Sequence, residues 1–145
     1  MKALIQRVTR ASVRVNEQVV GQIDRGLLVF LGVDLEDDQR IADRLLGKVL
    51  NYRVFPDDHE HMNLSVLDIG GQLLVVSQFT LSASTKKGLR PSFSAAKPPE
   101  LALPLYEYFV QQAGAYLDVA TGEFGADMKV ELLNDGPVTF LLSAD

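Results

Sequence analysis

The chain has no cysteine, which removes disulfide frameworks, thiolate nucleophiles and thiolate zinc sites together. No apolar run approaches the roughly 20 residues that a helix needs to cross a bilayer. The N-terminus enters a strand-like pattern at once, without the charged, apolar and small-residue regions of a secretory signal, so a cytoplasmic location is expected. Nothing matches Gly-x-Ser-x-Gly, and Gly70-Gly71 and the Gly122 to Gly125 stretch fit neither nucleotide-binding fingerprint. A hydrolase of that serine type and a nucleotide cofactor are therefore not expected. What is present is ordinary for a globular protein: 47% hydrophobic, 23% charged and 8% aromatic residues. With no linker, repeat or low-complexity tract in 145 residues, the chain reads as one domain, 1–145, with a single core.

A net charge of −5 argues at first against a polyanionic partner. The distribution changes that reading. Lys2, Arg7, Arg10 and Arg14 occupy a segment without acids, and so do Lys86, Lys87, Arg90 and Lys97. Acids gather instead in Asp34 to Glu60 and from Glu100 onward. The pattern fits one basic face on an acidic body; it also fits scattered, solvated charges.

Ala3 to Val15 alternates as a strand and Asn16-Glu17 turns it into Gln18 to Ile23, a hairpin. Leu27 to Val33, apolar at every position, fits a strand covered on both faces. Ile41, Ala42, Leu45, Leu46, Val49 and Leu50 recur at helical spacing behind Asp37 and Asp38. Strands are expected at Asn51 to Phe55, Leu64 to Leu67 and Gln72 to Leu81, and an irregular loop at Lys86 to Pro99. A second helix is expected with Pro104 in its first turn and Leu105, Phe109 and Ala113 buried. Met128, Val130 and Leu132 alternate into Asn134 to Pro137, a turn before the closing strand Val138 to Ser143. The order predicts an α+β domain with two main helices on a mostly antiparallel sheet.

The apolar strand Leu73 to Val76 turns polar at Ser77-Gln78-Phe79-Thr80, just where a buried strand leaves the core. Backbone N–H groups at such a strand end, with Ser, Gln and Thr beside them, can hold a carbonyl oxygen that becomes an oxyanion. A strand end whose polar residues only satisfy the backbone is the plainer reading. His59 and His61, among Asp57, Asp58 and Glu60, are spaced as metal ligands on a strand, but a third ligand is missing and a charged loop tip is the cheaper explanation.

Ser77-Gln78-Phe79-Thr80-Leu81 and Asn134-Asp135-Gly136-Pro137-Val138-Thr139 resemble, in order, the two signature motifs of the D-aminoacyl-tRNA deacylase family. The resemblance extends to Met1 to Val8, to Gly88-Leu89-Arg90-Pro91-Ser92-Phe93 and to the total length. It implies a compact β/β/α homodimer without metal or other cofactor. It implies catalysis on the Ser77, Gln78, Phe79, Thr80 floor, with the Phe79 and Thr80 N–H groups toward the amino-acid carbonyl. It further implies a cis Gly136-Pro137 bond and a loop, Gly136, Pro137, Val138 and Thr139, that enters the partner's site and excludes an L side chain. The substrates implied are D-aminoacyl-tRNA and glycyl-tRNA mischarged on tRNA(Ala), with the vicinal 2′-hydroxyl of the terminal ribose assisting water. Arg7, Lys86, Lys87 and Arg90 are the residues expected to contact tRNA, and neither DNA nor membrane is an expected partner. A non-catalytic RNA-binding module remains the alternative, although Phe79 and Phe93 alone make a poor stacking surface.

Overall fold

A computed structural model describes all residues, Met1–Asp145. The chain runs through β1 (Lys2–Val15), β2 (Gln18–Ile23), β3 (Gly26–Gly32), α1 (Gln39–Asn51), β4 (Phe55–Pro56), β5 (Met62–Leu64) and β6 (Gln72–Ser77). A 3-10 turn (Phe79–Ser82), α2 (Pro99–Ala113), β7 (Val119–Thr121) and β8 (Lys129–Ser143) complete it. The class is α+β. Antiparallel ladders join β1 to β2, β3 and β8, whereas β6 pairs in parallel with both β3 and β7. Because β6 lies inside a parallel group, its residues from Leu73 to Val76 are buried one after another.

Strand β1 serves two cores, where the sequence led to the expectation of one. Its buried positions are Ala3 and Ile5, then Val8, then Ala11 and Val13, so strict alternation breaks twice. The pairing with β8 slips at the same places, between Gln6 and Val8 and between Val8 and Arg10. A slip turns the next side chains to the other face of the sheet. Ala3 and Ile5 accordingly join the helix-side core with Leu45, Val49, Tyr106 and Phe109. Val8, Ala11 and Val13 join a second core with Ile23, Leu28, Leu74 and Val76. Strand β8 crosses with it, placing Val138 and Leu142 on the helix side and Val130 and Leu132 against the other core. The sheet also curls toward a barrel: a Cβ on Gly21 of β2 would run into the carbonyl oxygen of Thr121 on β7. Only β1 pairs with β8, so the far edge of this long strand is free.

Local chemistry accounts for the elements. Asn16 and Glu17 both take positive φ, 49° and 68°, as the tight turn between twisted strands requires. Asp38 caps α1 by accepting from the N–H of Ile41 at 2.9 Å. Asp37 has a different part, since one oxygen accepts from the Met1 amine at 2.8 Å and the other from the Asp34 N–H at 2.6 Å. In α2 the buried Tyr106 hydroxyl donates to the carbonyl of Val75 at 2.8 Å. Burial pushes its pKa up to about 12.

Several sequence expectations need correction. Helix α2 begins at Pro99 rather than around Pro104, which is internal and exposed; a proline N-cap followed by Pro99 starts the helix earlier, where a missing N–H costs nothing. The residues from Asn51 onward finish α1 and yield only the two-residue β4, and β5 ends at Leu64, because Ser65 and Asp68 bond each other's N–H groups to form a turn. The strand expected to reach Leu81 stops at Ser77. Strand β8 passes through Asn134 to Pro137 without interruption, so that motif is a bulged corner and not a turn between separate strands.

Candidate active site

At the end of β6, Ser77 stands opposite Leu31 of β3, and Gln78 keeps the pairing with an N–H bond to Leu31 O at 2.8 Å. The chain then leaves the sheet as the 3-10 turn. Its first internal bond is from Leu81 N to Gln78 O at 3.1 Å, which leaves the N–H groups of Phe79 and Thr80 ahead of it with no carbonyl one turn back. Gln78 gives no side-chain cap to either. Two adjacent backbone donors are thus left without an acceptor inside the chain, on residues that are both exposed. The Thr80 hydroxyl accepts from the amide of Gln78, a neutral group that cannot take up a proton to activate it. Both histidines lie on the exposed loop between β4 and β5, where their backbone N–H groups bond Asp57 Oδ1 at 2.8 and 3.0 Å. No three His, Asp or Glu side chains converge on one point.

Beside Phe79 lies a largely apolar cleft of about 660 Å³, which Thr80 does not line. Ser77, Gln78 and Phe79 form its floor, Phe93 and Pro98 one wall, and Phe124 to Met128 the other. The Phe79 and Phe93 rings meet at 5.1 Å between centroids, tilted by 52°. The Phe93 wall is pinned to the end of β3 through Leu35 N to Ala95 O at 2.9 Å and Lys97 N to Val33 O at 3.0 Å. Beneath the turn Ser82 is buried, and its hydroxyl has no partner at hydrogen-bond geometry. Burial tends to raise the carboxyl of nearby Asp34, but its contacts with Lys2 and the Met1 amine outweigh that and hold it below the usual range. Sequence reasoning missed the Phe124 to Met128 wall. Its only signals were two apolar residues, Phe124 and Met128, among small and acidic ones.

The second motif forms the corner of β8. Asn134 clasps it, with Nδ2 donating to Arg7 O at 3.3 Å and Val138 O at 3.1 Å while Oδ1 accepts from Val138 N at 3.2 Å. Arg7 braces it from β1: Nε donates to Asp135 O at 2.9 Å and Nη1 to Val54 O at 2.6 Å. The Asp135 carboxylate lies 3.5 Å from the same guanidinium. Gln6 Nε2 donates to Thr139 Oγ1 at 3.2 Å. The Gly136–Pro137 bond is cis, and Gly136 has φ of 149°. Both residues project, exposed, from the held corner.

The two motifs do not meet within one chain. The register aligns Leu142 of β8 with Ala3, Ala3 with Leu31 and Leu31 with Ser77. From that row Pro137, in the bulge between the Thr139–Gln6 and Asn134–Val8 pairs, lies about 13 Å back along the sheet, and β8 is about 14 Å, three strand spacings, from β6. Floor and corner are therefore about 20 Å apart.

Of the basic residues, Lys86, Lys87 and Arg90 sit exposed on a loop closed by paired bonds between Ser84 and Ser92 at 2.8 and 3.0 Å. None of the three is in an ion pair. Arg7 corrects the sequence expectation. Its side chain is only 12% exposed, and Nε and Nη1 donate to backbone carbonyls, so it braces the corner rather than standing free for a phosphate. Lys2 is likewise engaged, by Asp34 at 2.8 Å.

Residues 4–143 match the family model described as D-Tyr-tRNA(Tyr) deacylase. The chain is 62% identical over 144 residues to the D-aminoacyl-tRNA deacylase of Pseudoalteromonas translucida (strain TAC 125) and 59% identical over 143 residues to that of Haemophilus influenzae (strain PittEE), covering 99% of both chains in each pair. A solved structure named c-Myc DNA Unwinding Element Binding Protein superposes with a TM-score of 0.96 at 44% identity, over 100% of this chain and 99% of that one. Another, described as a probable eukaryotic D-amino acid tRNA deacylase, shares the fold with a TM-score of 0.84 at 16% identity, over 97% of both chains. Two unfilled N–H donors beside an apolar cleft suit the cleavage of an acyl ester, and the chain belongs to the D-Tyr-tRNA(Tyr) deacylase family, a D-aminoacyl-tRNA deacylase in sequence from end to end.

Proposed function

We propose that the chain hydrolyses D-aminoacyl-tRNA in a site made by two copies: the Ser77 to Thr80 floor and cleft of one, and the Gly136-Pro137 corner of the other. The observation that carries this is the separation of about 20 Å, about four strand residues along the sheet and three strand spacings across it. The carbonyl carbon and α-carbon of an ester are only about 1.5 Å apart, so one ester cannot touch both motifs of one chain. The free edge of β8, with Leu133, Phe140 and Leu141 exposed along it, supplies apolar surface and unpaired backbone for a second copy.

In this reading the terminal nucleoside lies between Phe93 and the Phe124 to Met128 wall. The ester carbonyl oxygen accepts from the N–H groups of Phe79 and Thr80. Water adds to the carbonyl carbon, the bond to the ribose oxygen breaks, and the proton from water leaves on that oxygen. The vicinal 2′-hydroxyl assists the attack; the protein orients the ester and stabilises the charge that develops. Backbone carbonyls of the partner corner face the α-carbon on the side where an L side chain would stand. Such exclusion ignores which D side chain is present and admits glycine. A non-catalytic RNA-binding module would leave the two free donors without a role.

The test is side-by-side incubation of D-Tyr-, glycyl- and L-Tyr-tRNA with the protein and a chelator, following loss of the ester. The first two are cleaved and the third is spared; intact glycyl-tRNA overturns the exclusion account, and intact D-Tyr-tRNA overturns the whole reading. Charge reversal at Lys86, Lys87 and Arg90 together is expected to raise KM about tenfold or more while kcat holds, because phosphate contacts bind ground and transition states alike. Steady-state kinetics at low and moderate salt checks this, and an unchanged KM at low salt removes the loop from the interface.

A further inference from the structure

The loop that carries these bases also carries an unexplained residue. Leu89 is fully exposed, the most exposed of the large apolar side chains, although burying a leucine side chain is favourable. A lone surface leucine is common. This one stands between Lys86, Lys87 and Arg90, none of them ion-paired, and follows Gly88, whose φ of 66° turns the chain at the tip. The base of the arm is fixed by the Ser84–Ser92 bonds, and one residue further on Phe93 lines the cleft. The arm therefore starts at the site and ends in an apolar point ringed by cations.

We infer that Leu89 is a wedge that stacks against the acceptor end of the RNA, at the unpaired nucleotide next to the stem or the first base pair. This rests on the reading that the cleft holds the terminal nucleoside. From the Ser84–Ser92 pair to the tip the arm reaches at most about 12 Å, three to four residues of extended chain. Three stacked steps of a nucleic-acid strand, from the terminal nucleotide to the one beside the stem, cover about 10 Å. The lengths match. Apolar side chains, leucine among them, are used in this way to part neighbouring bases, with flanking bases of the protein holding the phosphates.

The experiment compares wild type, Leu89→Ala and Leu89→Phe on D-Tyr-tRNA carrying 2-aminopurine beside the stem, and on D-tyrosyl-adenosine, which has no stem. Leu89 packs against nothing in the chain, so neither variant threatens folding. Leu89→Ala raises KM for the tRNA about tenfold at unchanged kcat, abolishes the 2-aminopurine brightening seen with wild type, and leaves hydrolysis of D-tyrosyl-adenosine as it was. Its salt dependence keeps the wild-type slope, because no phosphate contact is lost; Leu89→Phe restores binding. An unchanged KM and unchanged fluorescence overturn the wedge, and so does an equal rise of KM for D-tyrosyl-adenosine, which would place Leu89 in the cleft. Failure of wild type to cleave either substrate would instead overturn the proposed function itself.

Discussion

Phe79→Pro is expected to cleave D-Tyr-tRNA about 100- to 1,000-fold more slowly than Phe79→Ala, the cost of one oxyanion donor. The two variants lose the same ring and its contact with Phe93, and only proline also loses the N–H. Position 79 tolerates proline: it is the first residue of the turn, where no internal bond is broken, and Gln78 before it has φ of −141° and ψ of 79°, outside the helical region that proline disfavours. The ratio of the two rates, with folding checked by circular dichroism, therefore isolates one backbone donor. Thr80→Ala belongs to the same series and retains most activity, because the Thr80 hydroxyl is held by an amide and has no base to make it a nucleophile. Equal rates for Phe79→Pro and Phe79→Ala would mean that the Phe79 N–H does not face the reacting carbonyl.

Arg7→Ala is expected to lower kcat/KM for D-Tyr-tRNA by about 100-fold, the penalty typical of a reacting group displaced by about 1 Å. Arg7 is not near the floor of its own chain. It acts by holding Asp135 O and Val54 O with two prongs of one planar group, at 2.9 and 2.6 Å. Its removal leaves both carbonyls short of a donor and the Gly136-Pro137 corner held only by Asn134 and the Gln6–Thr139 bond. Arg7→Lys is expected to do little better, since a single ammonium does not reproduce the fork. Because the corner is the proposed barrier to L side chains, the ratio of L- to D-Tyr-tRNA cleavage should rise in Arg7→Ala. Kinetics within about twofold of wild type for both substrates would remove Arg7 from the account.

Much of this was legible in the sequence, for identifiable reasons. The spacing of Ile41 to Leu50 gave α1 because one face of that helix alone is buried. The run Leu73 to Val76 pointed to an interior strand, and the polar step at Ser77 marked where it emerges. The end of that strand was less legible, since Gln78 to Leu81 continue a β-compatible composition while the 3-10 turn is set by what β3 leaves unpaired. Pro104 misplaced the start of α2 because Pro98 and Pro99 offered an earlier start inside a stretch that reads as loop. The double slip of β1 between Gln6 and Arg10 has no local sign, as it is fixed by the partner strand β8. The role of Arg7 was hidden for the same reason: its acceptors, Val54 and Asp135, are 47 and 128 residues away, and a charge in an acid-free segment looks solvated. The Phe124 to Met128 wall is made by packing beside the cleft, and of its residues only Met128 belongs to a periodic run.

The two engineered chains together test the central claim, a site shared between copies. Phe79→Pro has a damaged floor and an intact corner; Arg7→Ala has the reverse. Mixed, unfolded and refolded at equal amounts, they form heterodimers in about half of the dimers, and each heterodimer has one site with an intact floor facing an intact corner. D-Tyr-tRNA cleavage in the mixture should rise to about a quarter of the wild-type rate, far above either variant alone. If the floor and corner that act together belong to one chain, no heterodimer has a whole site, and the mixture will stay at the average of the two damaged parents.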